Sequence, residues 1–130
     1  MYIQDLRARS IVEREDELMQ RLRSVRKGDF GAFILWHKDG GPSLWIHTNK
    51  DLAYLHFFPD KSSDHPGLQP TGMSPMHCDA SVKFLQTSGA EADSITVPQD
   101  KLVSVDLAYR AAIEFLHKPG ASTSVSWFSL

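Results

Sequence analysis

The residues able to do chemistry are six histidines, a single cysteine and several loop aspartates. A zinc site needs side chains that converge to about 2 Å from the ion. His37, His47, His56, His65, His77 and His117 are scattered, and no pair has H-x-H or H-x₃-H spacing. The strands read below place His56 opposite Ser43, four residues along from His47. At roughly 3.3 Å per residue these two rings stand about 13 Å apart, too far to share an ion. His77-Cys78 puts a nucleophile next to a base, yet adjacent residues of an extended segment point to opposite sides, badly placed for proton transfer. A zinc deaminase needs H-x-E and P-C-x-x-C elements, and Pro75-Met76-His77-Cys78 has the wrong arrangement. Asp60 and Asp64 have a spacing open to acid–base work, but loop aspartates four apart are usually solvated turn-formers. No G-x-S-x-G, Walker or dinucleotide glycine pattern is present. The expectation is a protein without catalytic residues, metal or cofactor, and not an enzyme.

Binding is the chemistry that remains, and the stretch Gly31 to Phe58 must position it. Three strands are read there: Ala32–His37, Ser43–Thr48 and Leu52–Phe58. Lys38-Asp39-Gly40-Gly41 forms the first turn and Asn49-Lys50 the second, with glycine supplying the φ > 0 geometry hairpins need. β-branched, aromatic and aliphatic residues bounded by Gly, Asn and Asp have the composition of a meander. Two-residue loops pair residues of opposite parity, and side chains alternate faces. One face then carries Phe33, Leu35, Leu44, Ile46, Ala53, Leu55 and Phe57, an aliphatic surface suited to helices. The other carries Ile34, Trp36, Ser43, Trp45, His47, Tyr54, His56 and Phe58. Trp36, Trp45, His47, Tyr54 and His56 combine contact area with polar tips, as interface hot spots do. They are the candidate partner-binding residues, unless a helix or the long loop covers them. Asp60, Asp64 and His65 in that loop join them, and Asp39, Asp51, Asp60 and Asp64 are placed to steer a basic partner.

The totals narrow the classes. A length of 130 residues fits a single domain spanning 1–130 with one proper core. With 42% hydrophobic and 23% charged residues, the chain is globular rather than disordered. A net charge of −2 argues against nucleic acid as partner. One cysteine rules out an internal disulfide and fits a reducing compartment. No apolar run approaches the roughly 20 residues of a membrane span. Residues 1–10 lack the apolar stretch of a signal peptide, so no membrane association and a cytoplasmic location are expected.

The rest of the chain completes the fold. Ser10–Lys27 reads as a helix, with Leu18, Leu22 and Val25 on one stripe, Ile11 extending it, and Gly28 as its stop. Acidic Glu13 to Glu17 precede basic Arg21 to Lys27, in the order the helix dipole favours. Pro59 to Cys78 is a long irregular connection, which is either functional or a cover for a sheet edge. Ala80–Gln86 reads as a fourth strand, and Ser94–Val97 as a fifth or an extended approach to a helix. Gln99–His117 carries a helical stripe of Leu102, Val105, Tyr109, Ala112, Ile113 and Leu116, with Pro98 tolerated at its start. Ser122–Phe128 is a final strand. The expected fold is α+β, an antiparallel sheet of about five or six strands with two helices packed on one face.

From about residue 12 to 128 the chain resembles the Imm1 family of bacterial immunity proteins. The order and spacing of several segments carry the likeness: Gly40-Gly41-Pro42-Ser43-Leu44-Trp45-Ile46, Leu52-Ala53-Tyr54-Leu55-His56-Phe57-Phe58 and His65-Pro66-Gly67-Leu68-Gln69-Pro70-Thr71-Gly72. Val97-Pro98 before Ala111-Ala112-Ile113-Glu114-Phe115-Leu116, and the closing Val125-Ser126-Trp127, complete the set. Pro119-Gly120-Ala121 departs from the pattern, where a proline nearer the last strand is expected. The resemblance implies an antitoxin that neutralises a cognate polymorphic toxin domain, a nucleic-acid deaminase or a nuclease, by occluding its active site. It implies no catalytic residues and a monomer or weak homodimer. A small-molecule or peptide-binding module using the aromatic face is the alternative.

Overall fold

Residues 1–60, 67–70 and 80–129 are described by the structure, a computed structural model. Its centre is the expected meander: β3 (Phe30–Trp36), β4 (Ser43–Asn49) and β5 (Leu52–Phe58). The N-terminus adds a hairpin to it, β1 (Tyr2–Gln4) and β2 (Arg9–Ile11), with β1 antiparallel to β3. On the far side β6 (Leu68–Pro70) pairs with β5, and β10 (Trp127–Ser129) pairs with β6. The short β9 (Val103–Ser104) also pairs with β5. The result is an eight-stranded sheet with β2 and β10 outermost in the strand order. A separate two-stranded hairpin is made by β7 (Ser81–Phe84) and β8 (Ile95–Pro98). The fold is α+β, with more strands than expected.

Both helices pack on the aliphatic face. Leu18 and Leu22 of α1 (Glu15–Ser24) are fully buried, as are Ala108, Ala112 and Phe115 of α2 (Val105–His117) or nearly so. Beneath them lie Phe33, Leu35, Leu44, Ile46, Ala53, Leu55 and Phe57, all 4% exposed or less. Every residue that strand parity assigns to this face is buried in the core.

Both helices are shorter than the apolar stripes suggest. Residues 9–11 pair with β1 instead of starting α1, and Ile11 is 59% exposed there. Gly28, at φ 62°, sits in the tight turn between Lys27 and Phe30, past the end of α1. Ser104 caps α2, its Oγ accepting from Leu107 N at 3.1 Å, so the helix starts at Val105 rather than near Gln99. Leu102 lies outside α2 and is buried with Phe84 and Val97 under the β7–β8 hairpin. Pro98 ends β8, and a short 3₁₀ turn, Gln99–Lys101, follows it.

The meander turns set the register. Gly41 N donates to Lys38 O (3.1 Å) with Gly40 at φ 79°, which gives the pairing Ile34↔Trp45 and Trp36↔Ser43. The second turn consists of Lys50 and Asp51, with Lys50 at φ 55°, and not of Asn49 and Lys50. Asn49 stays in β4 and its Nδ2 donates to Lys83 O (2.9 Å). This displaces β5 by two residues from the expected pairing. An even displacement preserves the faces but changes the neighbours: His56 faces Trp45, and Ser43 faces Phe58.

Candidate functional site

The aromatic face is laid out in four cross-strand rows. They are Phe30–Asn49–Leu52, Ala32–His47–Tyr54, Ile34–Trp45–His56 and Trp36–Ser43–Phe58. The β7–β8 hairpin covers the first two. Lys83 lies over the Phe30 ring at 5.6 Å, and Leu52 and Tyr54 pack against Phe84, Val97 and Leu102. Beneath the hairpin His47 is 3% exposed, and its Nδ1 donates to Leu85 O at 3.1 Å. His47 is thus a buried anchor for the hairpin, not part of an accessible surface. Burial pushes its pKa below the ordinary 6.5, against the opposing pull of the Leu85 carbonyl, and nearby His56 lowers it further.

The third and fourth rows are half-buried except for Ser43, which is buried, and the N-terminal hairpin extends both. Gln4 and Arg9 continue the row of Ile34, while Tyr2 and Ile11 continue the row of Trp36. Tyr2 stacks on Trp36 with ring centroids 5.5 Å apart, and the Arg9 guanidinium lies 5.1 Å from the same ring. Trp45 meets Phe58 edge-on at 5.5 Å, and His56 stacks on Phe58 at 4.1 Å. The Trp45 indole N–H donates to Ser43 Oγ at 3.2 Å. A cleft of about 470 Å³ opens between these rows, the N-terminal hairpin and the β3–β4 loop.

The N-terminal hairpin is held in place by Asp5, whose side chain is fully buried. Asp5 accepts from Arg7 N (2.9 Å), Ala8 N (3.0 Å) and Arg21 Nε (2.9 Å), which ties the hairpin turn to α1. That attachment delivers Arg9 and Tyr2 to Trp36.

Of the expected site residues, Trp36, Trp45 and His56 come together in the open rows. Tyr54 stands at the seam, half-buried, with its hydroxyl donating to Gln69 Oε1 (3.3 Å) and its pKa raised by burial. Asp60 is exposed just past the end of β5, at the same end of the meander as Asp39. Asp51 is at the opposite end, so the acidic turns do not form one surface. Asp64, His65, His77 and Cys78 lie outside the described residues. His47 and His56 are diagonal neighbours across β4 and β5, closer than the 13 Å expectation, which assumed the other register. Among the described residues no group of three or more His, Cys, Asp or Glu is arranged to hold a metal, and no helix is long and apolar enough to cross a membrane.

Sequence reading missed Tyr2, Gln4 and Arg9, because a three-residue strand shows no periodicity. The alternation of Tyr2, Ile3 and Gln4, with Ile3 fully buried between half-open neighbours, is the signal that was available. No protein-family model and no curated protein matches the chain.

Proposed function

We propose that this chain is an immunity protein of the Imm1 type, which binds a cognate polymorphic toxin domain and occludes its active site. The supporting observation is the open half of the aromatic face. It presents Trp36, Trp45, Tyr2, Arg9 and His56 on a rigid sheet, beside a cleft. Trp, Tyr and Arg are the residues that dominate interface energetics. Held by strands and stacked on one another, they have little rotamer freedom left to lose on docking. Asp39 and Asp60, at the end of the meander nearest the open rows, supply negative charge at the rim for a basic toxin surface, beside a centre of Trp36, Trp45 and the cationic Arg9. The sequence resemblance supports the same reading. Protection by occlusion requires a partner footprint on the order of 1,600 Å².

The test is binding to a polymorphic toxin domain, sought in the genes that neighbour this one. Trp45→Ala is expected to weaken that binding at least about tenfold, as loss of a central aromatic anchor does, while the thermal midpoint shows that the variant is folded. Unchanged affinity of the folded variant would remove the aromatic face from the interface. Cells poisoned equally with and without this chain, whichever neighbouring toxin is expressed, would overturn the reading.

A further inference from the structure

The cleft at the N-terminal hairpin has a chemistry more specific than a generic docking face. Its volume of about 470 Å³ lies within the ~300–1,000 Å³ typical of small-molecule sites. The sheet supplies two indoles, Trp36 and Trp45, on diagonal positions with Ile34 and Ser43 completing the square. Flat aromatic side chains favour a planar guest, which they meet face- or edge-on.

The charges select among planar guests. Arg9 and Lys38 line the cleft against a single acidic residue, Asp39, leaving it one positive charge in a chain of net charge −2. The Arg9 guanidinium lies 5.1 Å from the Trp36 ring centroid and makes no hydrogen bond or ion pair to a described residue, so the N–H edge of its guanidinium remains to be used. Such an edge matches the two oxygens of a carboxylate. Tyr2, stacked on the same indole, fixes the ring against which Arg9 lies. Ser43 Oγ accepts from the Trp45 indole, so its own hydroxyl proton remains to be donated.

We propose that this cleft binds a carboxylate held next to a planar aromatic group, with the carboxylate on the edge of Arg9 and the ring against Trp36 and Trp45. Lys38 adds attraction without geometric selection, as a flexible point charge does. The same chemistry is offered by a free aromatic acid or by a peptide with an acidic side chain beside an aromatic one. The inference does not depend on the toxin reading, because it concerns the isolated chain.

The experiment is a titration of ¹⁵N-labelled protein, following the indole N–H signals of Trp36 and Trp45. The probes are 2-naphthoate and the end-blocked dipeptide N-acetyl-Trp-Glu-amide. Saturable shifts of both signals are expected, with 2-naphthamide binding at least about tenfold more weakly than 2-naphthoate. Arg9→Gln should weaken binding of either acid by a similar factor with an unchanged thermal midpoint, since Arg9 is exposed. The tighter of the two acids identifies the source, free or peptide-borne. Silence of both indole signals with both probes would overturn the proposal. So would equal binding of naphthoate and naphthamide, or an Arg9→Gln protein that binds as well as the wild type.

Discussion

The two faces of the meander are built from the same three strands and have different fates. On one, seven aliphatic and aromatic side chains are buried beneath two helices, with Val125 and Trp127 of the C-terminal segment completing the cover. On the other, the strands alternate just as regularly, yet among the described residues only half the surface is closed. The cover there is a hairpin of four-residue strands laid over strands of seven residues. It reaches the rows of Phe30 and Ala32 and leaves those of Ile34 and Trp36. Residue type does not decide which side chain is hidden, since polar His47 is buried and apolar Trp36 is half open. Position along the strand decides it. A sheet face is thus not a single environment, and a candidate surface has to be argued row by row.

Four measurements break or sharpen this contrast. Phe33→Ala, at a fully buried position on the sealed face, is expected to cost about 3–5 kcal/mol in chemical denaturation. A cost below about 1 kcal/mol would show that the helix-covered side is loosely packed. Gly67→Ala probes the outer margin of the aromatic side. Gly67 has φ 97°, and an added Cβ would run into the His56 ring and approach Phe57 O to 2.9 Å. A loss of about 2 kcal/mol follows from backbone strain alone, and a neutral result would mean that residue 67 is not held at its positive φ.

His47 measures the hairpin cover. As pH falls through 6.5, the unfolded chain takes up a proton at His47 while the folded chain, with its lowered pKa, does not. Its contribution therefore favours folding above that pH and is lost on acidification, until the lowered folded value is reached. The stability difference between wild type and His47→Gln should shrink by about 1 kcal/mol between roughly pH 7 and pH 5. Hydrogen exchange in residues 81–98 should rise over the same range. A constant difference would mean that His47 is protonated in place and the cover is leaky. The smallest effect is expected at Ile11, 59% exposed on the open side. Ile11→Thr should lie within about 0.5 kcal/mol of wild type, and a larger loss would mean that this side is packed after all.

How much was legible in the sequence follows the length of each element. β3, β4 and β5 each span seven residues, enough for alternation to declare both strand and face. The site was half legible for the same reason: Trp36, Trp45 and His56 follow from parity alone. The final strand expected over Ser122–Phe128 is present but shortened to Trp127–Ser129, whereas β1, β2, β6 and β9 have two or three residues each, too few for any local pattern to record. Ile11 and Leu102 fell on helical stripes by coincidence of spacing. Ile11 is drawn into an edge hairpin anchored by Asp5, and Leu102 into the small core under β7 and β8. The two-residue displacement at Lys50 was also hidden, because left-handed geometry at a lysine is not something composition announces.

The borders of the large sheet carry one last consequence. Arg9–Ile11 and Trp127–Ser129 are only three residues long. The meander itself is rich in segments such as Ala32-Phe33-Ile34-Leu35-Trp36, the kind that stack into cross-β fibrils when a long free margin lets another molecule add on. With such stubby margins, an incoming strand finds too few backbone partners to hold it. At its two outermost strands the sticky inner sheet is thereby fenced against polymerisation, and the stretch 30–33 of β3, which β1 does not reach, is the length left to guard.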